Sequence, residues 1–357
     1  MNPNQTTANA NPGNMGTIEA TFTFPELSNL IKKMFAEALP QVPLDAKPLY
    51  IFKGVPQGGG DSIQVNEQDF TTYAGDMPEG VNAKKGQFGV GYHKQVLWHR
   101  YGLEYDITYK MRTTAQWLDI VSATVAALSK AVPQRENLDM THLITFGNAT
   151  SYIDQDGYVR DTSTGDGLSL FNVAHLLAFS TKTYSNIVPG NPQFSKSALE
   201  SAELLTKTDI LDNFGKLRRM NFKTIWCADT PNLTNTIMQY IRSVSDPIQA
   251  NPGVENPYKG KYDILPLSLL ATDANGIYDS SKQNWWGIAA LSGVGAERWQ
   301  AYRVQWEPAR LKPMPTNGGS GNWEDVHNDN VTYGSRGSEN YAALSGRGNI
   351  ASLAPNS

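Results

Sequence analysis

Apolar residues recur at three and four positions after Pro25: Leu27, Leu30, Ile31, Met34, Phe35 and Ala38, with Pro40 closing the run. The spacing predicts a short amphipathic helix with Pro25 in its first turn. It lies between an uncharged Asn-, Thr-, Pro- and Gly-containing start, Met1 to Thr17, and the Pro-rich stretch Pro40 to Pro48. The start reads as a flexible arm. Little chain lies beside the helix, so its stripe of Leu27, Ile31 and Phe35 is expected to dock elsewhere on the fold or on a neighbouring subunit. From Lys47 to Arg112 the pattern changes to strands and loops. Leu103, Tyr105, Ile107, Tyr109 and Met111 alternate with Glu104, Asp106, Thr108, Lys110 and Arg112. Phe88, Val90, Tyr92, Val96 and Trp98 form a second run, and a Gly-rich, apolar-poor stretch spans Pro56 to Gly86.

Thr113 to Gly147 predicts a long helix. Thr113 or Thr114 caps it, and Trp117, Val121, Val125 and Leu128 mark its stripe. Pro133 removes a backbone donor and is expected to kink or divide it. Beyond Asp161 the chain mixes helix and strand. Ser197 and Glu200 suggest a capping box for a helix over Lys196 to Phe214. Thr230 and Pro231 open another, ending near Ser243. Strands fit Thr224 to Cys227, Asp263 to Pro266 and Trp285 to Leu291. After Ala296, Tyr302, Val304 and Trp306 alternate, and so do Val331, Tyr333 and Ser335. The class is therefore α+β.

The chain has 357 residues, enough for about two domains. Charged residues make up 18%. That is low, and it fits either a surface hidden in interfaces or one rich in Asn, Ser and Thr. The net charge of −4 gives no bulk attraction to nucleic acid. The charges of the Gly-rich stretch are segregated. Asp61, Glu67, Asp69, Asp76 and Glu79 come first, and Lys84, Lys85, Lys94 and Arg100 follow. A long hairpin would set acid beside base, or present both to a neighbouring subunit. The single cysteine, Cys227, sits in a strand-like run and points to a reducing compartment. No apolar run approaches the ~18 residues of a membrane span, and the start lacks the features of a signal peptide.

Sequence motifs for chemistry are weak. His93 and His99 have no acid or cysteine beside them to complete a metal site. Asp154-Gln-Asp156-Gly157 reads as a turn, because a calcium loop needs a terminal glutamate that this segment lacks. Asn256 to Gly260, with Lys259 and Lys261, reads as a surface turn rather than an anion cradle. Trp285 and Trp286 read as core rather than a carbohydrate platform. No nucleophile elbow, phosphate loop or dinucleotide fingerprint occurs. No catalytic, cofactor-binding or metal-ligating residue is expected, and no enzyme activity.

The order of segments from Gly165 onward resembles the major head (capsid) subunit of tailed bacteriophages, in the branch typified by phage Mu. It is carried by Gly165-Asp-Gly-Leu-Ser-Leu-Phe171 and the pair Ala174-His175. The two helices, Asn256-Pro-Tyr-Lys-Gly260 and the closing Asp329-to-Gly348 region follow. It covers roughly Tyr101 to Ser357. The tail keeps Arg347 and Gly348 without the tryptophan often found before that pair.

This resemblance implies a Hong Kong 97-like capsid fold. Residues 1–45 would be the N-terminal arm with its short helix, and 46–112 the extended E-loop hairpin with flanking strands. Residues 113–160 would hold the spine helix of a peripheral domain, 161–295 an axial domain, and 296–357 the returning peripheral strands and tail. The implied function is a major capsid protein that self-assembles, through pentamers and hexamers, into a head shell around double-stranded DNA, without sequence readout. Assembly in the bacterial host cytoplasm would yield a virion capsid. Portal, scaffolding, protease or decoration proteins would be separate partners, and no membrane or cofactor is implied. Contacts between subunits would fall on Asp61, Glu67, Asp69, Asp76, Glu79, Lys84, Lys85, Leu27, Ile31 and Phe35. Two other readings share the sequence. One is an encapsulin-like compartment. The other is a soluble carbohydrate-active enzyme with paired carboxylates in a cleft.

Overall fold

The structure, a computed structural model, describes residues 32–37, 42–56, 59–70, 75–80, 82–83, 85, 88–107, 117–245, 255–293, 295–313 and 331–355. In chain order the strands are β1 (Ile51–Gly54), β2 (Ser62–Phe70), β3 (Phe88–Leu97), β4 (Tyr101–Ile107), β5 (Ser151–Ile153), β6 (Val159–Asp161), β7 (His175–Leu177), β8 (Ser180–Tyr184), β9 (Thr224–Ala228), β10 (Asp263–Leu267), β11 (Trp286–Ala289), β12 (Ala301–Pro313), β13 (Val331–Ala343) and β14 (Asn349–Ser352). The longer helices are α1 (Trp117–Thr145), α2 (Lys196–Thr208) and α3 (Pro231–Arg242). The class is α+β, as the periodicities predict.

The chain divides into two compact units. The larger holds residues 42–101, 132–309 and 336–357, and the smaller holds 1–41, 102–131 and 310–335. In the larger unit the core forms around a sheet of order β10-β9-β11-β14. β9 and β10 run parallel, in register from Thr224↔Asp263 to Ala228↔Leu267, and α3 makes the crossover between them. β11 is antiparallel to both β9 and β14. All four residues of β11 and all four of β14 are buried, and β11 reads as a short apolar run for that reason. Trp226, Trp286, Trp299, Phe171, Ile225 and Ile350 fill the same cluster. Trp285 and Trp286 both belong to this core. Burial pushes the Cys227 thiol up to about 12, so it packs as an inert apolar group.

Features of the tail and helices differ from the sequence reading. Residues 349–352 do not return to the sheet built by β12 and β13, and they complete the tryptophan-rich sheet beside β11. Helix α2 is capped by Ser195, whose hydroxyl accepts from the Ala198 amide at 3.2 Å, two residues before the expected cap. It also stops at Thr208. Asp212 then accepts from the Phe214 and Lys216 amides at 3.0 and 2.8 Å, and Gly215 adopts φ 78°, so the expected last turn of helix is a tight loop instead. Pro133 does not divide α1, which runs through it for 29 residues.

A second sheet has the order β1-β12-β13-β4. In the larger unit β1 pairs in parallel with β12, from Ile51↔Tyr302 to Gly54↔Gln305. In the smaller unit Thr332 donates to Asp106 Oδ1.

Gly287 lies at the middle of β11, under the indole of Trp226. A Cβ there would sit 2.3 Å from that ring and 2.5 Å from the Ile350 carbonyl. Gly287→Ala is therefore expected to cost about 1–3 kcal/mol by overpacking. The check is the urea midpoint of the variant, and an unchanged midpoint would show that the indole has room to move.

Candidate functional site

The hairpin of β2 and β3 pairs only with itself among the described residues. Its register runs from Ser62↔Leu97 to Phe70↔Phe88, with a bulge where β3 has one extra residue opposite Asn66 to Gln68. Alternation puts Val65, Glu67 and Asp69 on one face and Gln64 and Asn66 on the other. The first face is buried. Val65 and Val96 pack with Val55, Val304, Ala342 and Leu344. Glu67 and Asp69 continue that face inward, and each meets an arginine.

Glu67 pairs with Arg347, and Asp69 pairs with Arg218. The second guanidinium nitrogen of Arg347 donates to Asn213 Oδ1 at 2.6 Å. The Asn213 amide donates to Asp69 Oδ2 at 2.9 Å. The Arg347 guanidinium also lies 5.3 Å from the centre of the Tyr184 ring. Burial opposes its charge, but Glu67, Tyr184, Asp69 and Asp212 hold its pKa above the ordinary value. Tyr184 stacks on His175 at 4.9 Å. His175 is fully buried between Asp166 Oδ2, 2.8 Å from its Nδ1, and the Leu170 carbonyl, 3.2 Å from its Nε2. Both ring nitrogens of His175 are thus taken by structural contacts. Gly91, in the bulge, makes space for the cluster. A Cβ on it would fall 2.7 Å from both Glu67 and Asn213.

Glu67 and Asp69 are therefore not inter-subunit contacts as the sequence suggested. Both are buried and paired inside the chain, because a charge facing a subunit core must be neutralised there. Lys94, from the basic limb, is likewise buried. Its ammonium donates to the Ser163 carbonyl and lies 3.2 Å from Asp161. Desolvation lowers its pKa, against the pull of Asp161. Other charges behave differently: Asp61, just before β2, and Asp76, Glu79 and Lys85, in the segment after it, are exposed. Phe35 is 4% exposed in a helix over residues 32–37, so it is covered within the chain. Leu27, Ile31 and Lys84 lie outside the described residues.

A usable signal for the inward acids was present. Ile63, Val65, Glu67 and Asp69 share one period-two phase, so the acids extend an apolar face. Their partners lie 149 and 280 positions away, and no local pattern announces them.

The remaining candidates resolve as structure. Asp154 accepts from the Asp156 and Tyr158 amides through Oδ1, and from Arg135 and Arg160 at 2.9 and 2.8 Å through Oδ2. Two guanidiniums occupy the place a cation would need. Among the described residues no group of His, Cys, Asp and Glu is arranged to hold a metal ion. Asn256 closes α3, donating to the Tyr240 and Ser243 carbonyls at 2.5 and 3.1 Å. A cavity of about 240 Å³ lies between Lys94–His99, Tyr158–Thr162 and Asn340–Ala342. His99 closes it with Arg160 at 2.5 Å, and burial with that guanidinium lowers the imidazole pKa to about 3. Among the described residues no helix is long and apolar enough to cross a membrane.

No protein-family model matches the sequence, and no curated protein matches it. Similar chain paths occur in solved structures. Mycobacterium phage Patience gives a TM-score of 0.48 at 12% identity, over 92% of this chain and 88% of that one. The capsid of an empty GTA particle gives 0.47 at 9% identity, over 86% and 88%. A virus-like particle from Pyrococcus furiosus gives 0.43 at 9% identity, over 90% and 97%.

Arg347→Met leaves Glu67 buried without its partner. The expected cost is about 3–5 kcal/mol of stability. Glu67→Gln combined with Arg347→Met should recover a large part of it, read as a double-mutant cycle in urea denaturation. Simple additivity of the two changes would refute the pairing.

Proposed function

We propose that this chain is a shell-forming major capsid subunit of a tailed bacteriophage, of the Mu-type branch with a Hong Kong 97-like fold. The observation that carries the reading is the β2–β3 hairpin. Its root is fixed by two buried arginine–carboxylate pairs, yet it joins no larger sheet among the described residues, and the charges farther out face solvent. A subunit gains nothing for its own stability from such a projection. Reaching a neighbouring copy gives it a use.

In this reading β2 and β3 form the E-loop, α1 is the spine helix, and the β10-β9-β11-β14 sheet with α2 and α3 forms the axial domain. The sequence resemblance from Tyr101 to Ser357 supports the same assignment. Asp61, Asp76, Glu79, Lys84 and Lys85 are the contacts to neighbouring copies, with Leu27 and Ile31 from the arm. Function is then geometric. One subunit repeats weak contacts around pentamers and hexamers, and the closed shell adds them together. Packaged double-stranded DNA is held without sequence readout, and portal, scaffolding, protease and decoration proteins act as separate chains. Assembly takes place in the host cytoplasm, and no reaction centre is needed.

The root anchors determine which residues can be removed without unfolding the subunit. Removing Pro56 to Gly86 whole would delete Val65, Glu67 and Asp69 and unfold the subunit. Replacing residues 71–87 by a short Gly-Ser linker keeps the root. That variant is expected to stay folded, with a normal urea midpoint, and to form no shells in negative-stain images where the intact chain, expressed with its gene neighbours, does. Shells of normal diameter from the variant would remove the hairpin from the assembly contacts. Lys85→Glu should weaken assembly more at low salt than at high salt, because exposed charge contacts are screened. A salt-independent loss, measured by light scattering, would point to packing instead.

A further inference from the structure

Glu136 sits on α1 three residues after Pro133 and is 4% exposed. Facing it, Arg303 on β12 and Glu339 on β13 form a two-pronged ion pair, with Nε to Oε2 at 2.7 Å and Nη2 to Oε1 at 2.5 Å. The Tyr341 hydroxyl donates to Glu339 Oε2 at 2.6 Å, and the Gln305 amide donates to its other oxygen. Glu339 is thus fully served as a carboxylate. Glu136 is not. Its Oε2 lies 3.4 Å from Arg303 Nη2. Neither its Oε1 nor the hydroxyl of Tyr101, which faces it, completes a hydrogen bond of good geometry. The charged and titratable groups around it are Arg303, Glu339, Tyr101 and Tyr341, with Asp139 farther along α1.

One guanidinium therefore meets two buried carboxyls, and it can match the charge of one. Burial first, then the charge of Glu339, push Glu136 up to about 8, against the pull of Arg303. A Cβ on Gly337 of β13 would lie 2.8 Å from Val132 of α1, so helix and strand are in direct contact here.

We propose that Glu136 keeps its proton in neutral solution beside the Arg303–Glu339 ion pair, and that loss of this proton to alkaline solvent loosens the seat of α1 on β12 and β13. Protonated, Glu136 is neutral and donates its hydroxyl within the cluster. Deprotonated, it is a second buried anion beside one cation, and water must enter or the helix must lift. The inference rests on the interior of one chain and is independent of the shell reading.

The sign follows from proton binding. An unfolded glutamate ionises near 4.5, and the native one near 8. Between those values the native state binds the extra proton, so this group's contribution to stability is lost as pH rises toward 8. His99 and His142, lowered to about 3 and about 4, act oppositely. Their effect is spent once pH passes the unfolded histidine value of about 6.5.

The test compares the full chain with Glu136→Gln in urea denaturation from pH 6 to 9. The ratio of their unfolding constants, wild type over variant, is expected to rise about tenfold from pH 6 to 7, by less from 7 to 8, and to level off above. A ratio constant with pH overturns the proposal. If the variant does not fold, the wild type alone decides the proton count. Unfolding at pH 7.2 in weak buffer should release protons on balance, and net uptake overturns the proposal. Amide exchange, corrected for its intrinsic base catalysis, should speed over residues 132–140 and 336–343 of the wild type between pH 7 and 9. Unchanged protection there refutes the loosening.

Discussion

The larger unit depends on neutralising charges that its topology forces inward. A carboxylate buried alone costs several kcal/mol, and an arginine buried alone costs as much. Arg347, Arg218, Arg303 and Arg135 are each buried, and each meets at least one carboxylate. These pairs join segments far apart in sequence: hairpin to tail, hairpin to the loop after α2, strand to strand, helix to turn. Hydrophobic burial supplies the bulk of the stability. The ion pairs fix which surfaces face each other, since a wrong pairing strands a charge.

The hairpin of β2 and β3 shows how this constraint holds a two-stranded element. A free two-stranded ribbon is marginal in water. Here the root is held by Val65 and Val96 in a small apolar cluster and by Glu67 and Asp69 in their arginine pairs. The bulge at Gly91 admits the carboxylate and the Asn213 amide. Stability is thus concentrated at the base.

The same logic explains why the chemistry-like motifs carry no chemistry. Asp154, His175 and Asn256 sit in turns that resemble sites, and each has its polar atoms taken by the protein itself. Asp154 receives two guanidiniums, His175 bridges Asp166 and a carbonyl, and Asn256 closes a helix end. Glu136 differs in kind, because it and Glu339 are two buried carboxyls facing the single guanidinium of Arg303.

The sequence by itself determined the elements whose cause is local. Period-two alternation marked β3 and the part of β4 from Leu103 onward. Pro231 marked the start of α3, and short apolar runs marked β9 and β11. Local patterning also determined that Trp285 and Trp286 are core, because a run buried on both faces must be apolar throughout. The tertiary structure alone decided the destinations of the charges. The acids of β2 looked like a surface limb because their partners, Arg218 and Arg347, are distant in sequence, and burial of a charge is decided by what it meets. The same holds for β14, whose four residues are too few to declare a sheet. It holds for α2 as well, whose end is set by the Asp212 turn and not by the apolar spacing that continues to Phe214.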